Sequence, residues 1–230
     1  MSVVNSDSVR AGASGVTAAY VIEQSCRFND DDSAHMHKTP GSAGDTKKCF
    51  ISFWMKRGNT GSQMSLISSQ TGTATNTDQM NLMAGDTLRT RGDNGNDWHL
   101  VTTQVFRDPT AWMHIVMAID TAQATAANRI KIYVNGVQVT SFSTETYPTQ
   151  DLVLTGYNTT QKHYIGTNDD ANLYFDGYLA EVYYIDGTQY AATDFGETDD
   201  NGNWVPKDAS DLTFGTTGYH LKFEDSANLG

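Results

Sequence analysis

The chain has 230 residues, and its 15 Lys and Arg against 27 Asp and Glu leave a formal net charge of −12. That acidic excess disfavours phosphate backbones and anionic lipid surfaces, so neither nucleic acid nor membrane is an expected partner. The length fits one large domain or two small ones, and a single domain is expected, because all-β sandwiches often use a length of this kind as one unit.

The opening MSVVNSDSVRAGASGV has neither a basic start nor an apolar core of signal-peptide length, and nowhere do 18 apolar residues run together. Synthesis in a cytoplasm without a secretion signal is expected. Residues 1–19 are small, polar and unpatterned, which predicts an arm or linker ahead of one domain over 20–230. Beyond that point apolar residues alternate with a period of two, and no window of 12 or more carries a helical stripe. Strands are expected at Tyr20 to Phe28, Met64 to Ser68, Met80 to Met83 and Trp98 to Phe106, then at His163 to Ile165, Tyr178 to Ile185 and Tyr219 to Phe223. KCFISFWMKR and AWMHIVMAID are apolar on both faces, as inner strands are, which places Trp54 and Trp112 in the core. RIKIYVNGVQVTSF spells a hairpin whose Asn135-Gly136 pair suits the two positive-φ positions of a type I′ turn. Gly, Asn, Asp, Ser and Thr clusters separate the strands. Over 192–217 the pattern thins to Phe195, Trp204, Val205, Leu212 and Phe214, which predicts a long excursion over the surface. Together these features predict an all-β fold of two stacked antiparallel sheets, a β-sandwich of jelly-roll type. Cys26 and Cys49 lack metal-site spacing; two half-buried free thiols are expected, unless neighbouring strands bring them together.

The ordered series SFWMKRG, AWMHIVMAID, IYVNGVQV, HYIGTND and YFDGYLAEVYYIDG resembles concanavalin A-like, laminin-G-like jelly-roll domains. The segments SCRFNDDDSAHMHKTPGSAG, DFGETDDNGNWVPK and GYHLKF are similar to a narrower branch, lectin-like domains in structural proteins of marine tailed bacteriophages. The resemblance implies a non-enzymatic structural or adhesion protein on the virion surface, as tail fibre or capsid decoration. It also implies contacts with other virion proteins, symmetric homo-oligomers and carbohydrate contact through loops at one sandwich edge. An architectural subunit that binds no glycan is the alternative, and a polysaccharide-degrading enzyme is the weaker one.

Glucanases of the resembled fold carry Glu-x-Asp-x-x-Glu on one strand, so that alternate carboxylates project into a cleft. Here Glu181 is followed by Val182, Tyr183, Tyr184 and Ile185, and Glu197-Thr198-Asp199-Asp200-Asn201-Gly202 ends in Gly where the second Glu belongs. No catalytic residue is therefore expected, and Glu181 is read as a structural acceptor for backbone N–H groups or a neighbouring Tyr. Relatives of the fold bind calcium in Asp- and Asn-rich loops. No cofactor is required by the sequence, but a calcium site, if present, is expected at Asn168, Asp169, Asp170 and Asn172. Sugar recognition needs exposed aromatic platforms beside amides and carboxylates. Trp98 after Asp93, Asn94 and Asn96, together with Tyr157 and Tyr174, are the candidates, with partial burial under their own loops the competing reading. Arg91-Gly92-Asp93 spells an adhesion tripeptide that chance alone supplies. His35 and His37 share a strand face but lack a third metal ligand nearby.

Overall fold

The computed structural model describes residues 20–70, 77–168 and 172–225; the expected N-terminal arm, residues 1–19, lies outside them. In chain order the strands are β1 (Cys26–Phe28), β2 (Met36–Lys38), β3 (Lys48–Arg57), β4 (Met64–Gln70), β5 (Thr77–Leu82), β6 (Thr87–Gly92), β7 (Trp98–Val105) and β8 (Met113–Asp120). They continue with β9 (Ile130–Val134), β10 (Val137–Gln138), β11 (Phe142–Thr146), β12 (Lys162–Ile165), β13 (Gly177–Asp186), β14 (Gly196–Thr198), β15 (Trp204–Pro206) and β16 (Tyr219–Leu221). The first sheet runs β1-β13-β3-β8-β9-β10, with β16 also on β13; the second runs β11-β7-β6-β5-β4-β12-β2; β14 and β15 form a separate ribbon. Two seven-stranded antiparallel sheets stacked face to face make the β-sandwich that the alternation predicts.

The inter-sheet core follows from period-two patterning. Ile51, Phe53 and Met55 of β3 and Ile115, Met117 and Ile119 of β8 meet Leu66, Ile67, Met80, Leu82, Leu88, Trp98 and Leu100 of the second sheet. Cys49 joins this core and Cys26 lies at its margin; both remain free thiols. The opposite face of the first sheet is apolar as well, which is why β3 and β8 read as buried on both sides. Phe195, Ala209 and Ala192 cover Phe50, Val116, Ala118, Tyr183 and Ile185. Ile22 covers Trp54 and Ala180, with Tyr20, Trp112 and Trp204 packed alongside. Trp112 is only half-buried, because it precedes β8 rather than lying inside it.

The hairpin turn has Asn135 at φ 47° and Gly136 at φ 77°, the pair of positive values a type I′ turn demands. Glycine is required at 136 for a second reason: a Cβ there would sit 2.3 Å from the Trp204 ring. Trp204 is tied down through His114, whose ring stacks between Trp54 at 5.1 Å and Trp204 at 6.0 Å. The Trp204 indole N–H donates to His114 Nδ1 at 3.1 Å. An indole only donates, so Nδ1 is unprotonated and the Nε2 proton goes to Ser52 Oγ at 2.8 Å.

Burial pushes the His114 pKa down to about 3, from 6.5. The folded state therefore binds fewer protons than the unfolded one between these values, so this contribution to stability is present above pH 6.5 and is lost as pH falls. His163, pushed down by burial to about 4, acts in the same direction, whereas Asp78, raised by burial to about 7, acts in the opposite one. Going from pH 6.5 to 5, His114 alone should remove about 2 kcal/mol. Urea unfolding across that range should show a shallower pH slope for His114→Gln than for the wild type. Parallel slopes would refute the assignment.

Candidate functional site

The outer face of the second sheet is lined with polar side chains. Ile165, Ile67, Met80 and Leu100 are in register and point into the core, so their neighbours one residue along each strand point away from it. Register then places His37, Tyr164, Ser68, Gln79, Arg91, His99 and Thr146 in one row that crosses all seven strands. With neighbouring strands spaced about 4.8 Å apart, the row is roughly 29 Å long. A second row two residues away holds Ser65, Asn81, Arg89, Val101 and Thr144.

The middle of this face forms a buried polar floor: Ser65, Ser68 and Asn81 are fully covered, Gln79 is 2% exposed and Arg89 8% exposed. One flank is the loop after β12. It passes over β4, where Ser68 Oγ donates to Thr167 O at 2.9 Å and the Ser65 N–H donates to Leu173 O at 2.8 Å. At the β2 edge an aromatic strip is accessible: Tyr174 to His35 at 5.9 Å, His35 to His37 at 6.2 Å and His37 to Tyr164 at 6.0 Å between ring centres. Behind that edge, a cleft of about 650 Å³ opens between β2 and β16, lined by His35, Met36, His37, Lys38, His163 and His220 among others.

The electrostatics of the floor run against the acidic average. Arg89 Nη2 donates to Asn81 Oδ1 at 3.2 Å, and Arg91 donates to Gln79 Oε1 from Nε at 3.3 Å and Nη2 at 3.1 Å. Both guanidinium groups are thus held by neutral amides. Burial, and then the Arg91 charge, lower the Arg89 pKa to about 10, so it stays charged at neutral pH. Burial, Arg89 and Arg91 together hold the His99 imidazole below its usual range.

Sequence reasoning reached the margins of this face and missed its floor. Trp98 and Tyr157 are fully buried, which corrects their assignment as exposed platforms. Trp98 shares the inward face of β7 with Leu100, and its indole N–H donates to Thr90 Oγ1 at 3.3 Å. Tyr157 sits in the core with its hydroxyl donating to Ile67 O at 3.4 Å, while Asp78 accepts the Gly156 and Tyr157 N–H groups at 3.0 and 2.8 Å. Tyr174 is half-buried within the aromatic strip. Asp93 and Asn94 lie in a 3-10 turn that follows Gly92 at the end of β6, and the Asn96 amide closes on Asp93 Oδ2 at 3.2 Å. Arg91-Gly92-Asp93 accordingly runs from strand into tight turn, with Gly92 beneath the Trp98 ring, and not through an extended loop tip. Asn168 is buried and its Oδ1 accepts the Asn172 N–H at 3.3 Å; Asp169 and Asp170 lie outside the described residues. The part of the expected calcium loop that is described therefore offers amide oxygens and no carboxylate. No cluster of three or more His, Cys, Asp or Glu suited to a metal occurs among the described residues. What could have pointed to the floor is the pattern itself: Gln79 and Asn81, then Arg89 and Arg91, two polar pairs that alternate with Met80 and Leu82 on one strand and with Leu88 and Thr90 on the next.

Glu181 lies at a bulge in β13, where the register with β3 shifts between Ala180 and Tyr183 and its φ is 47°. Its carboxylate accepts the Tyr20 hydroxyl at 3.1 Å and the Tyr183 hydroxyl at 2.8 Å, and pairs with His220 Nε2 at 2.7 Å. β1 occupies the β13 edge before the bulge and β16 the edge after it, so Glu181 joins Tyr20 and His220 where the two ends of the domain meet. Its partners are structural ones.

The fold agrees with comparison to known proteins. A family model described as the concanavalin A-like lectin/glucanases superfamily, of the third laminin G type, matches residues 30–188, more than half of the chain. The chain belongs to this superfamily. A comparison with curated proteins found no match. Among solved structures, the superfamily fold is shared with a putative carbohydrate binding protein from Bacteroides ovatus, at 14% identity and a TM-score of 0.51 over 86% of this chain and 51% of that one. The present chain thus spans about half of that protein's length. Domain 4 of the arabinanase AbnA from Geobacillus stearothermophilus, solved with arabinotriose, aligns at 14% identity and a TM-score of 0.50 over 75% of each chain. A heptameric SAP-like pentraxin from Limulus polyphemus aligns at 12% identity and a TM-score of 0.50 over 68% of this chain and 71% of that one. At these identities the likeness is one of fold.

Proposed function

We propose that this superfamily domain is a non-catalytic glycan-binding module of a tailed-bacteriophage virion, presented on capsid or tail for adhesion. The observation that carries the glycan reading is the outer face of the second sheet: an accessible strip of Tyr and His rings and the half-buried Arg91 and His99, set over a covered floor of amides, hydroxyls and the Arg89 guanidinium. Sugars present hydroxyls to such donors and C–H faces to such rings. The family assignment and the arabinotriose held by a domain of the same fold support the same reading. A non-catalytic role is supported by what the buried acids do. Glu181 serves two tyrosines and a histidine, Asp78 binds the N–H groups of Gly156 and Tyr157, and Asp186 accepts the N–H groups of Asp45, Thr216 and Thr217 at 2.7, 3.0 and 3.2 Å. A glycosidase needs two such groups facing one ligand. The virion setting rests on the ordered sequence segments that resemble phage structural proteins.

On a broad array of immobilised glycans the purified chain should bind a restricted set, and Tyr164→Ala should weaken that binding about tenfold while leaving the melting temperature within a few degrees. A folded chain that binds nothing on the array would overturn the glycan reading. Reducing-end release from a bound polysaccharide would overturn the non-catalytic one. Antibody labelling of intact phage particles tests the setting, and particles that carry no copy of the chain would exclude it.

A further inference from the structure

We infer that the floor of the second sheet selects acidic glycans, with Arg89 and Arg91 forming the site for an anionic sugar substituent, carboxylate or sulfate. The inference rests on the glycan-binding reading above and specifies its ligand class. Three observations carry it. First, Arg89 and Arg91 lie two residues apart on the outward face of β6, and among the described residues neither forms an ion pair. In a chain of net charge −12, carboxylates are the commonest available partners, yet the cross-strand neighbours of this pair are the amides Gln79 and Asn81 on β5 and His99 and Val101 on β7. One buried and one half-buried cation, with no counter-ion among the described residues, form an arrangement that a bound anion would complete.

Second, the amides are oriented by the arginines. Asn81 Oδ1 and Gln79 Oε1 are turned toward the guanidinium groups, so the Asn81 NH₂ faces away from them. Third, Asn81 Nδ2 and Arg89 Nε are buried donors without a partner, on side chains more than nine-tenths covered, and the adjacent Ser65 Oγ is unpartnered as well. Buried polar groups are almost always satisfied, and three unpartnered ones that adjoin on this floor, beside the half-buried Arg91, are matched by a ligand that accepts. Neutral sugar hydroxyls accept weakly; carboxylate and sulfate oxygens accept strongly and also neutralise the two charges.

The test is affinity electrophoresis and calorimetry of the full chain with polygalacturonate, dextran sulfate and unmodified dextran. The overall charge of −12 repels polyanions, so the chain should bind one only through a local site. The expected result is binding of polygalacturonate or dextran sulfate that weakens steeply with salt, with no comparable affinity for dextran. The preference between the two polyanions identifies the substituent. Arg91→Gln, at a half-buried position, should fold normally and lose roughly tenfold to a hundredfold in acidic-glycan affinity. Arg89→Gln should do the same, and its melting curve separates lost binding from lost folding. Selective binding of neutral glycans, unchanged in Arg91→Gln, would overturn this inference while leaving the glycan reading intact. Acidic-glycan binding unchanged in both folded variants would overturn the assigned site. A folded wild type that binds neither the three polymers nor any array glycan overturns both readings together.

Discussion

Trp98→Ala should destabilise the domain by about 3–5 kcal/mol and lower its melting temperature by about 10 °C or more, whatever it does to glycan binding. The indole is fully buried in the inter-sheet core, donates to Thr90 Oγ1, and lies so close over Gly92 that a Cβ there would approach the ring to 2.0 Å. Truncation leaves a cavity between β6 and β7, beside the strand that carries Arg89 and Arg91. Lost binding in this variant therefore reports the scaffold and not a contact. Thermal unfolding followed by near-ultraviolet circular dichroism gives the decisive reading. A Trp98→Ala protein with wild-type stability would contradict the placement of this side chain.

Trp98 also shows where sequence reasoning succeeds and where it fails. Its position after Asp93, Asn94, Asn96 and Asp97 suggested a loop aromatic, yet Trp98 and Leu100 stand two apart in a strand, and period-two geometry sends both to one face. Alternation was sufficient for the sandwich, the inner strands β3 and β8, and the Asn135-Gly136 turn, because each depends on local periodicity and backbone preference. The candidate site depends on which strands become neighbours. Gln79 and Asn81 meet Arg91 and Arg89 only through the β5–β6 register, and Tyr164 joins them only because β12, some 90 residues on, pairs with β4. Long-range pairing of this kind leaves no local mark. Glu181 is an intermediate case: its isolation within an apolar strand was visible, and so was its structural role, but not the bulge that turns it toward Tyr20 and His220.

The second large effect concerns the other end of the β5–β6 hairpin. Arg57, at the end of β3, is 1% exposed and its guanidinium Nη1 donates to Asp86 Oδ1 at 2.9 Å and to the Phe106 carbonyl, while its Nε donates to Asn59 O at 3.0 Å. Asp86, at φ 64° in the β5–β6 turn, also accepts the Gly61 N–H at 2.8 Å and Arg107 Nε at 2.9 Å. One buried cation thus joins the first sheet to the turn that carries Asn81 and Arg89 on its flanking strands. Arg57→Met removes that cation and leaves the Asp86 carboxylate and the Phe106 carbonyl in place. Arg107 is poorly placed to compensate, since its side chain is 64% exposed and its pairing is screened by water. Breaking a buried pair from one side costs about 3–5 kcal/mol, much of it the penalty of the charge left behind. Converting that charge as well should therefore restore part of the loss. Asn tolerates positive φ, so Arg57→Met combined with Asp86→Asn should be at least about 1 kcal/mol more stable than Arg57→Met alone. Chemical denaturation of the two variants, closed into a cycle with Asp86→Asn, measures the coupling directly. Additive losses would mean that Arg57 contributes only its packing. Because this contact anchors the hairpin that presents both arginines of the proposed site, the single variant should also weaken acidic-glycan binding, and the double variant should recover it in proportion to stability.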